Sequence, residues 1–570
     1  MKDYAKEARI FDTQILVIGG GISGLSAAVS AKEAHPEADV LLADKACASR
    51  GFAGKAGRTT GLISYVTEED DPEDFVKHCV EHIGFYLNDQ DLLREMAENS
   101  RQIVEKVSDE WGVNLVRDDD GKIVYAKWPT PWGTAGIDPD MCIAISAKAK
   151  QLGVRFLDHT AFVKLTLKDG RVRGAIGFEI DTGRPVAVNA DAVIMAAGDQ
   201  NYLITTGWCA TGNGIYMAYE AGAKMRNVEF CSMCDFARKD PDGIIYYGGH
   251  GGAHIAHDHL HTANENISQK YRPGFHSSID PEAINAWYQE TVKGNGPVFV
   301  DLSDFAQNEG VLFRWHPNAT KRRAIMHTKT NIGDGKNFEV VPGFLGEVSS
   351  VRVDHDMKTT VPGLFAAGDT CGSGSARGGA APTPPGKIHG TGILNAFFTG
   401  MKAGKNAADE VCGKEYVKAG ITDLEIDEAL GEIFAPMESE GCYDIHSALA
   451  DIQDIVAPVD YSMVRSEERM KKALEETLAY KEKLKELKAE DYREALRCFD
   501  LKCMALCSEM FYRASLERKE TRGFCFREDY PDMDNKEWLK WIIVEKDGEG
   551  MKISTEDIPI EDYRYRPEGM

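Results

Sequence analysis

The stretch VIGGGISGLSAAVSAKEAHPEADVLLADK, Val17 to Lys45, limits the fold more than any other part of the chain. Thr13–Ile18 is a short β-branched run of the kind that forms a buried parallel strand. Gly19, Gly21 and Gly24 then make G-x-G-x-x-G, Ser23 to Ala34 is small and helix-compatible, and Pro36 stops that helix. Asp39–Ala43 reads as a second strand, with Asp44 at its end, twenty residues after Gly24. In a nucleotide-binding crossover Gly19 makes the tight turn, Gly21 lets a pyrophosphate approach the backbone, and Gly24 lets helix pack on strand. Ile22 and Ser23 open a helix whose unpaired N–H groups face the phosphates. Asp44, followed by Lys45, accepts from the adenosine ribose hydroxyls. FAD and NAD share this device, so the stretch alone leaves the two open.

A chain of 570 residues is too long for one simple core, and length suggests about three or four structural units. Its net charge of −25 argues against nucleic acid or an anionic membrane as partner, since both need a basic face. No uninterrupted apolar run approaches ~18 residues, so no spanning helix is expected. The N-terminal MKDYAKEARIFDTQ has no apolar h-region of a secretory signal. Thirteen cysteines, an odd number without framework spacing, read as reduced thiols, and the expected compartment is the cytoplasm.

Further along, residues 71 to 112 read as helical. AFVKLTLKDGRVRGAIGFEIDTGRPVAVNA, residues 161–190, alternates and turns at Asp169-Gly170 and Thr182-Gly183, the pattern of a three-stranded meander. DAVIMAAGD, Asp191–Asp199, reads as another buried strand running into glycine at Ala197 and Gly198. TGNGIYMAYEAGAKM opens a further helix at Thr211, Gly212 and Asn213, and TTVPGLFAAGD ends one more apolar strand in Gly368-Asp369. From about residue 430 good helix formers dominate, with apolar faces at Leu474, Leu478, Leu484 and Leu487 and at Leu496, Phe499, Cys503, Leu506 and Met510. That is the pattern of an antiparallel helix pair or triplet.

The motifs together resemble the flavoprotein family of fumarate reductase and succinate dehydrogenase, with adenylylsulfate reductase α subunits and L-aspartate oxidase as relatives. GGGISGLSAA fits its N-terminus, and TGNGIYMAYEAGA resembles its T-G-D-G-x-x-M-A-x-x-A-G-A, with Asn213 where the acid usually stands. VPGLFAAGD resembles the strand that brings an acid to the ribityl chain. RKETRGFCFREDYPDMDNKEWLKW, Arg518–Trp541, resembles the C-terminal R-K-E-S-R-G-x-x-x-R-x-D-Y-P signature. The resemblance implies FAD, an α/β architecture with a Rossmann-like FAD-binding domain, an inserted α+β capping domain and a C-terminal helical domain. The expected boundaries are 1–235 and 344–430 for the FAD-binding domain, 236–343 for the cap, 431–525 for the helical domain and 526–570 for a C-terminal tail. Asp369 would bind the ribityl hydroxyls. Gly392 and Ile393 would start a helix whose N-terminus faces the flavin's pyrimidine carbonyl, where negative charge develops on reduction. Arg50, Gly51 and Gly57 would lie along the isoalloxazine edge.

The sequence also departs from the family. Where many members carry S-H-T and bind FAD covalently through His, this chain reads Ser49-Arg50-Gly51, so noncovalent FAD is expected. Cys234 and Leu345 stand at two His positions of the dicarboxylate site, Gly248–Gly252 lacks the proton-donating Arg, and Lys387 falls near the second Arg. A planar Arg fork matches a carboxylate, and its loss makes fumarate an unexpected substrate. The residues left to handle a small anionic substrate are Arg377, Lys387 and His389 in SARGGAAPTPPGKIHG, and His250 and His254 in YYGGHGGAHIAHDHLH. No Cys or carboxylate set has metal-ligand spacing, so no metal is expected. Cys231 and Cys234 form a C-x-x-C that reads as small residues filling a strand end rather than a redox pair. One such pair cannot hold an iron–sulfur cluster, so electrons are expected from an iron–sulfur, ferredoxin-like partner. A flavin-carrying electron-transfer protein without substrate chemistry, or an adenylylsulfate reductase of the α-subunit type, is the alternative reading.

Overall fold

The computed structural model describes residues 3–54, 61–127, 130–204, 210–239, 244–246, 260–262, 265, 267, 270, 278–279, 288–300, 338–346, 348–372, 387–388, 391–414 and 420–570. The chain begins with β1 (Arg9–Ile18), α1 (Ile22–Ala34) and β2 (Val40–Ala43). These are followed by α2 (Gln90–Asp109), β3 (Arg155–Leu157), β4 (Thr160–Lys168), β5 (Arg171–Glu179) and β6 (Pro185–Met195). With β13 (Leu364–Ala366) they make a seven-stranded sheet in the order β3-β2-β1-β6-β5-β4, β13 pairing with β6. β1 runs parallel to β2 (Ile15 opposite Val40) and to β6 (Ile15 opposite Ala192), and β13 runs parallel to β6 (Leu364 opposite Val193). Ile15, Leu16 and Val17 have no exposed surface, as expected of a strand covered on both faces.

The third meander strand and the separate strand expected at Asp191 are one continuous strand, β6. No turn residue interrupts it, and the polar Asn189 stays in register, its side chain donating to Asp12 and accepting from the Ile421 N–H. β6 therefore pairs antiparallel with β5 along its first half (Gly174 opposite Asn189) and parallel with β13 along its second. This places the carboxyl ends of β2, β1, β6 and β13 side by side.

The chain continues through α3 (Asn213–Glu220) and β7 (Met225–Arg226) into a second sheet. Its strands are β8 (Ser232–Lys239), β9 (Ile244–Tyr246), β10 (Leu260–His261), β11 (Val298–Val300) and β12 (Phe338–Gly346). They are ordered β9-β8-β12-β11-β10 with antiparallel pairings. After β13, α4 (Thr391–Val411) returns to pack on α1. A Cβ on Gly400 would lie 2.4 Å from the Ser23 carbonyl, and one on Gly404 2.0 Å from that of Ala27, so two bare glycines let the helices touch backbone to backbone.

α5 (Glu467–Lys483) and α6 (Tyr492–Glu517) form the expected helix pair. Asp491 caps α6 by accepting from the Arg493 and Glu494 N–H groups. α6 buries residues on every face from Ala495 to Ser515, because it is packed between α5, α3 and the helix Ile445–Val456. Within the stretch expected as a tail, β14 (Lys540–Asp547) and β15 (Gly550–Asp557) form a hairpin that pairs with β7 (Met225 opposite Val544).

Candidate active site

In an open α/β sheet a ligand binds outside the carboxyl ends of the strands, where the connections from neighbouring strands part. Here that point lies over β1: the chain leaves β1 through α1 toward β2 on one side, and β6 and β13 lie on the other. Gly19 adopts φ +109°, and a Cβ there would meet the Ala196 carbonyl at 2.2 Å; one on Gly24 would lie 1.8 Å from the Gly19 carbonyl. Neither position admits a side chain. Gly21 differs, because among the described residues a Cβ there would find only the Gly54 Cα, at 3.5 Å, which leaves its face open to them. No side chain caps α1, which leaves its first-turn N–H groups to a ligand.

Asp44 is partly accessible, and its carboxylate accepts from the Gly20 and Ala46 N–H groups, each at 2.6 Å. Burial raises this carboxyl above the ordinary range, against the pull of those two N–H groups. Across the crevice, the turn Gly368–Cys371 follows β13. A Cβ on Gly368 would lie 2.4 Å from Ser23 Oγ, so the strand end bearing Asp369 touches the start of α1. Gly368 donates its N–H to Thr399 Oγ1 on α4, and Ser349 donates to the Asp369 carbonyl. Beside this turn, the buried Thr370 Oγ1 and both side-chain polar atoms of Asn395 have no hydrogen-bond partner among the described residues. Orphaned polar atoms of this kind are costly without a ligand to meet them. They fit a polar group entering between β13 and α4, and at the same helix start a Cβ on Gly392 would meet no described residue within 4 Å.

The other expected cofactor residues distribute as follows. Ala197 and Gly198 follow β6, and Thr211–Asn213 is held to them through the Gly212 N–H bond to the Asp199 carbonyl. Lys45 reaches over from β2 to donate to Asn213 Oδ1 at 2.6 Å. Ile22 and Ile393 are nearly buried, as helix-start residues packed under the crevice. Gly51, with φ +76°, packs against Ile143 at the start of the helix Met141–Gln151, so a Cβ there would lie 2.4 Å from the Ile143 N. Arg50, beside it in a short 3-10 turn, is exposed. Gly57, Arg377, His389, His250 and His254 lie outside the described residues. Lys387 is described in backbone only: Lys387–Ile388 pairs antiparallel with Ser278–Ile279. The chain entering α4 is thus joined to the inserted region. Cys234 sits opposite Gly343 on β8 and β12.

Cys231 is a core thiol. It donates to the Ser462 carbonyl at 3.4 Å, and burial pushes it up to about 11 despite the neighbouring Arg465. Cys507 is likewise pushed up to about 12 by burial. Among the described residues, one group has metal-like proximity, His35, Glu37 and Cys412. It lies at the far ends of α1 and α4, with both ring nitrogens of His35 already facing carboxylates.

Sequence reasoning missed two features. Asp500, on α6, accepts from the Asn213 amide and lies 2.9 Å from Thr211 Oγ1, and so reaches the crevice rim. An acid among the apolar residues of this helix is the available signal, and Glu509, also buried there, carries the same one. The second is the role of the C-terminal signature, which builds a buried arginine network. Arg518 donates to Glu229 (2.8 Å), Glu520 (2.7 Å) and the Trp538 and Lys540 carbonyls. Arg522 clasps Glu520 with two N–H bonds and reaches the Phe85 carbonyl. Arg527 clasps Asp529 and bonds the Ser515 and Arg518 carbonyls. Arg465 bonds the Glu229 carbonyl and Ser515 Oγ and lies over the Phe511 ring. Burial would lower Arg518, but Glu229 and Glu520 outweigh it and hold it charged.

A bare glycine turn at a helix start, an acid at the next strand end and a second strand ending in Gly-Asp define an FAD-dependent oxidoreductase fold. Comparison with known proteins agrees. Residues 14–235 match the FAD binding domain and residues 451–569 the fumarate reductase flavoprotein C-terminal domain. An uncharacterized FAD-dependent oxidoreductase of Methanocaldococcus jannaschii is 24% identical over 566 residues, covering 93% of this chain and 96% of that one. The fumarate reductase flavoprotein of Haemophilus influenzae is 23% identical over 573 residues, 94% of this chain and 92% of the other. In fold, the chain is similar to E. coli quinol fumarate reductase FrdA (TM-score 0.81, 19% identity, 97% of each chain). It is similarly close to adenylylsulfate reductase from Archaeoglobus fulgidus (TM-score 0.79, 22% identity, 97% of each chain). The chain belongs to the fumarate reductase/succinate dehydrogenase flavoprotein family, and its cofactor is FAD.

Proposed function

We propose that this flavoprotein exchanges hydride between noncovalent FAD and a small anionic substrate other than fumarate, held between the flavin and the inserted lobe. The observation that carries the reading is the pairing of Lys387–Ile388 with Ser278–Ile279, which ties the inserted region to the chain entering α4. FAD supplies a two-electron centre that takes up or gives out hydride. The backbone at Gly19–Gly24 and the start of α1 receive the pyrophosphate, with Ala197, Gly198, Thr211, Gly212 and Asn213 on the facing rim. Asp44 accepts from ribose hydroxyls and Asp369 from the ribityl chain. Thr370 and Asn395 offer their unmet polar atoms to the flavin end. Arg377, Lys387 and His389 bind and orient the anion, and His250 or His254 passes its proton. Arg50 in place of the attachment His supports noncovalent binding, and an iron–sulfur, ferredoxin-like protein fits as electron source.

The test has two stages. Purified protein should be yellow, and acid precipitation should release all flavin into the supernatant; flavin retained in the pellet would refute noncovalent binding. The photoreduced protein is then mixed with a panel of enoates and sulfur oxyanions. Rapid reoxidation by one of them, and none by fumarate, is expected. Reoxidation by no panel member but by an oxidised ferredoxin would favour the electron-carrying alternative, which the four missing dicarboxylate groups support.

A further inference from the structure

Asn213 occupies the place of the acid in T-G-D-G, and its side chain is held from three directions. Its Oδ1 accepts from Lys45 Nζ at 2.6 Å and from Thr211 Oγ1 at 2.8 Å. Its Nδ2 donates to Asp500 Oδ1 at 2.9 Å and to Cys503 Sγ at 3.4 Å. Asp500 is 3% exposed and belongs to α6, in the helical region, 287 residues further along the chain. Its Oδ1 also lies 2.9 Å from Thr211 Oγ1 and 3.6 Å from Lys45 Nζ, and its Oδ2 accepts from Arg497 at 2.9 Å. A carboxylate at position 213 would face that of Asp500 at hydrogen-bond distance, which like charges do not tolerate. An amide solves the problem, since it turns its oxygen to the ammonium and its N–H to the buried acid. The Lys45 side chain stays 43% exposed, at the rim where β2 and β6 end.

We infer that Asp500 supplies from the helical region the carboxylate missing at position 213. As a positioning residue it holds Lys45 and Asn213 against the adenosine and pyrophosphate end of FAD. The inference rests on the cofactor placement proposed above. FAD occupancy is thereby coupled to α6. A charged hydrogen-bond partner lost from a buried site weakens the interaction it orients by roughly tenfold or more.

The experiment measures FAD affinity by flavin fluorescence on flavin-stripped protein, for wild type, D500N, N213D and the D500N/N213D swap. D500N and N213D should each bind FAD at least about tenfold more weakly. The swap should recover most of the loss, because the amide then on α6 donates to the carboxylate then at the start of α3, which still accepts from Lys45. A residue that serves folding alone would lower the melting temperature of the stripped protein without changing the affinity of the folded fraction, and without rescue by the swap. Folded D500N within twofold of wild type, or a swap no better than the single variants, overturns the inference. Should D500N not fold, K45M decides, since its side chain is solvated: unchanged affinity overturns the inference and a loss of about tenfold supports it. Wild-type protein that binds no FAD at all would refute the cofactor placement instead, which is a separate result.

Discussion

The glycine crevice and the arginine network are the two most recognisable motif regions of the chain, and they are built on opposite principles. In the network, Arg465, Arg518 and Arg522 are fully buried, and their N–H groups end on carboxylates, carbonyls, a hydroxyl or a thiol, with Glu229 Oε2 left as the carboxylate oxygen that has no hydrogen-bond partner among the described residues. In the crevice, the start of α1 is uncapped and Gly21 faces open space. Thr370 and Asn395 there keep unmet polar atoms, and burial raises the Asp44 carboxyl. A network in which nearly every charged group is met fixes a fold, whereas several unmet polar atoms gathered beside an uncapped helix start wait for a ligand. A sequence signature alone does not distinguish the two. The long C-terminal signature is the more specific motif, yet it acts as structure.

Breaking the network should have the largest effect. Arg518→Met leaves Glu229 and Glu520, both fully buried, without their shared cation. Removing one partner of a buried pair costs about 3–5 kcal/mol. The variant should accumulate as insoluble protein or lose most of its cooperative thermal transition by calorimetry. The R518M/E229Q double variant should recover part of that loss. A soluble R518M with wild-type melting would refute the structural assignment of the signature.

The crevice should respond in the opposite way. Among the described residues Gly21→Ala adds a methyl group that meets only Gly54 Cα, at 3.5 Å, and the Gly21 φ of −73° suits alanine. The flavin-free protein should therefore keep its stability to within ~0.5 kcal/mol. The methyl occupies the open face where a pyrophosphate would lie, so FAD affinity should fall by about thirtyfold or more, equivalent to ~2 kcal/mol. Equal damage to folding and to flavin binding would erase the contrast between the two regions.

How much of this is legible in the sequence follows from range. The requirements at Gly19, Gly21, Gly24 and Asp44 are steric and local, so the order strand, glycines, helix, strand and acid is readable in one stretch. The strand ending in Gly368-Asp369 is readable for the same reason. β6 reads as two strands because alternation and apolar run look different, while the polar Asn189 between them is satisfied only by Asp12 and Ile421 from elsewhere. Asp500 escapes a sequence reading because its partners, Thr211 and Asn213, are 289 and 287 residues away. The proposed substrate groups, His250, His254, Arg377 and His389, lie outside the described residues, so their reading still rests on sequence alone.

The smallest effect lies between the two extremes, in a pair that is neither sealed nor open. His355, in the turn before β13, faces Asp89, the N-cap of α2, at 2.7 Å, with the His side chain 52% exposed. The hydrogen bond that His355 donates to Asp89 raises His355 against burial, whereas burial would raise Asp89 but His355, with the Leu92 N–H and Arg226, outweighs it and lowers it. A raised His stabilises the fold fully below its unfolded value of about 6.5 and loses that contribution as pH rises through the folded value. A lowered Asp stabilises above its unfolded value of about 3.9 and loses that contribution as pH falls through the folded one. The pair is therefore complete between roughly pH 4 and 6.5 and fades on both sides. His355→Gln should lower the melting temperature most near pH 5–6 and least near pH 9. Because the pair is half solvated, the difference should correspond to only a few tenths of a kcal/mol. A gap that is constant with pH would mean that His355 contributes packing rather than charge, and would move it toward the sealed end of the comparison.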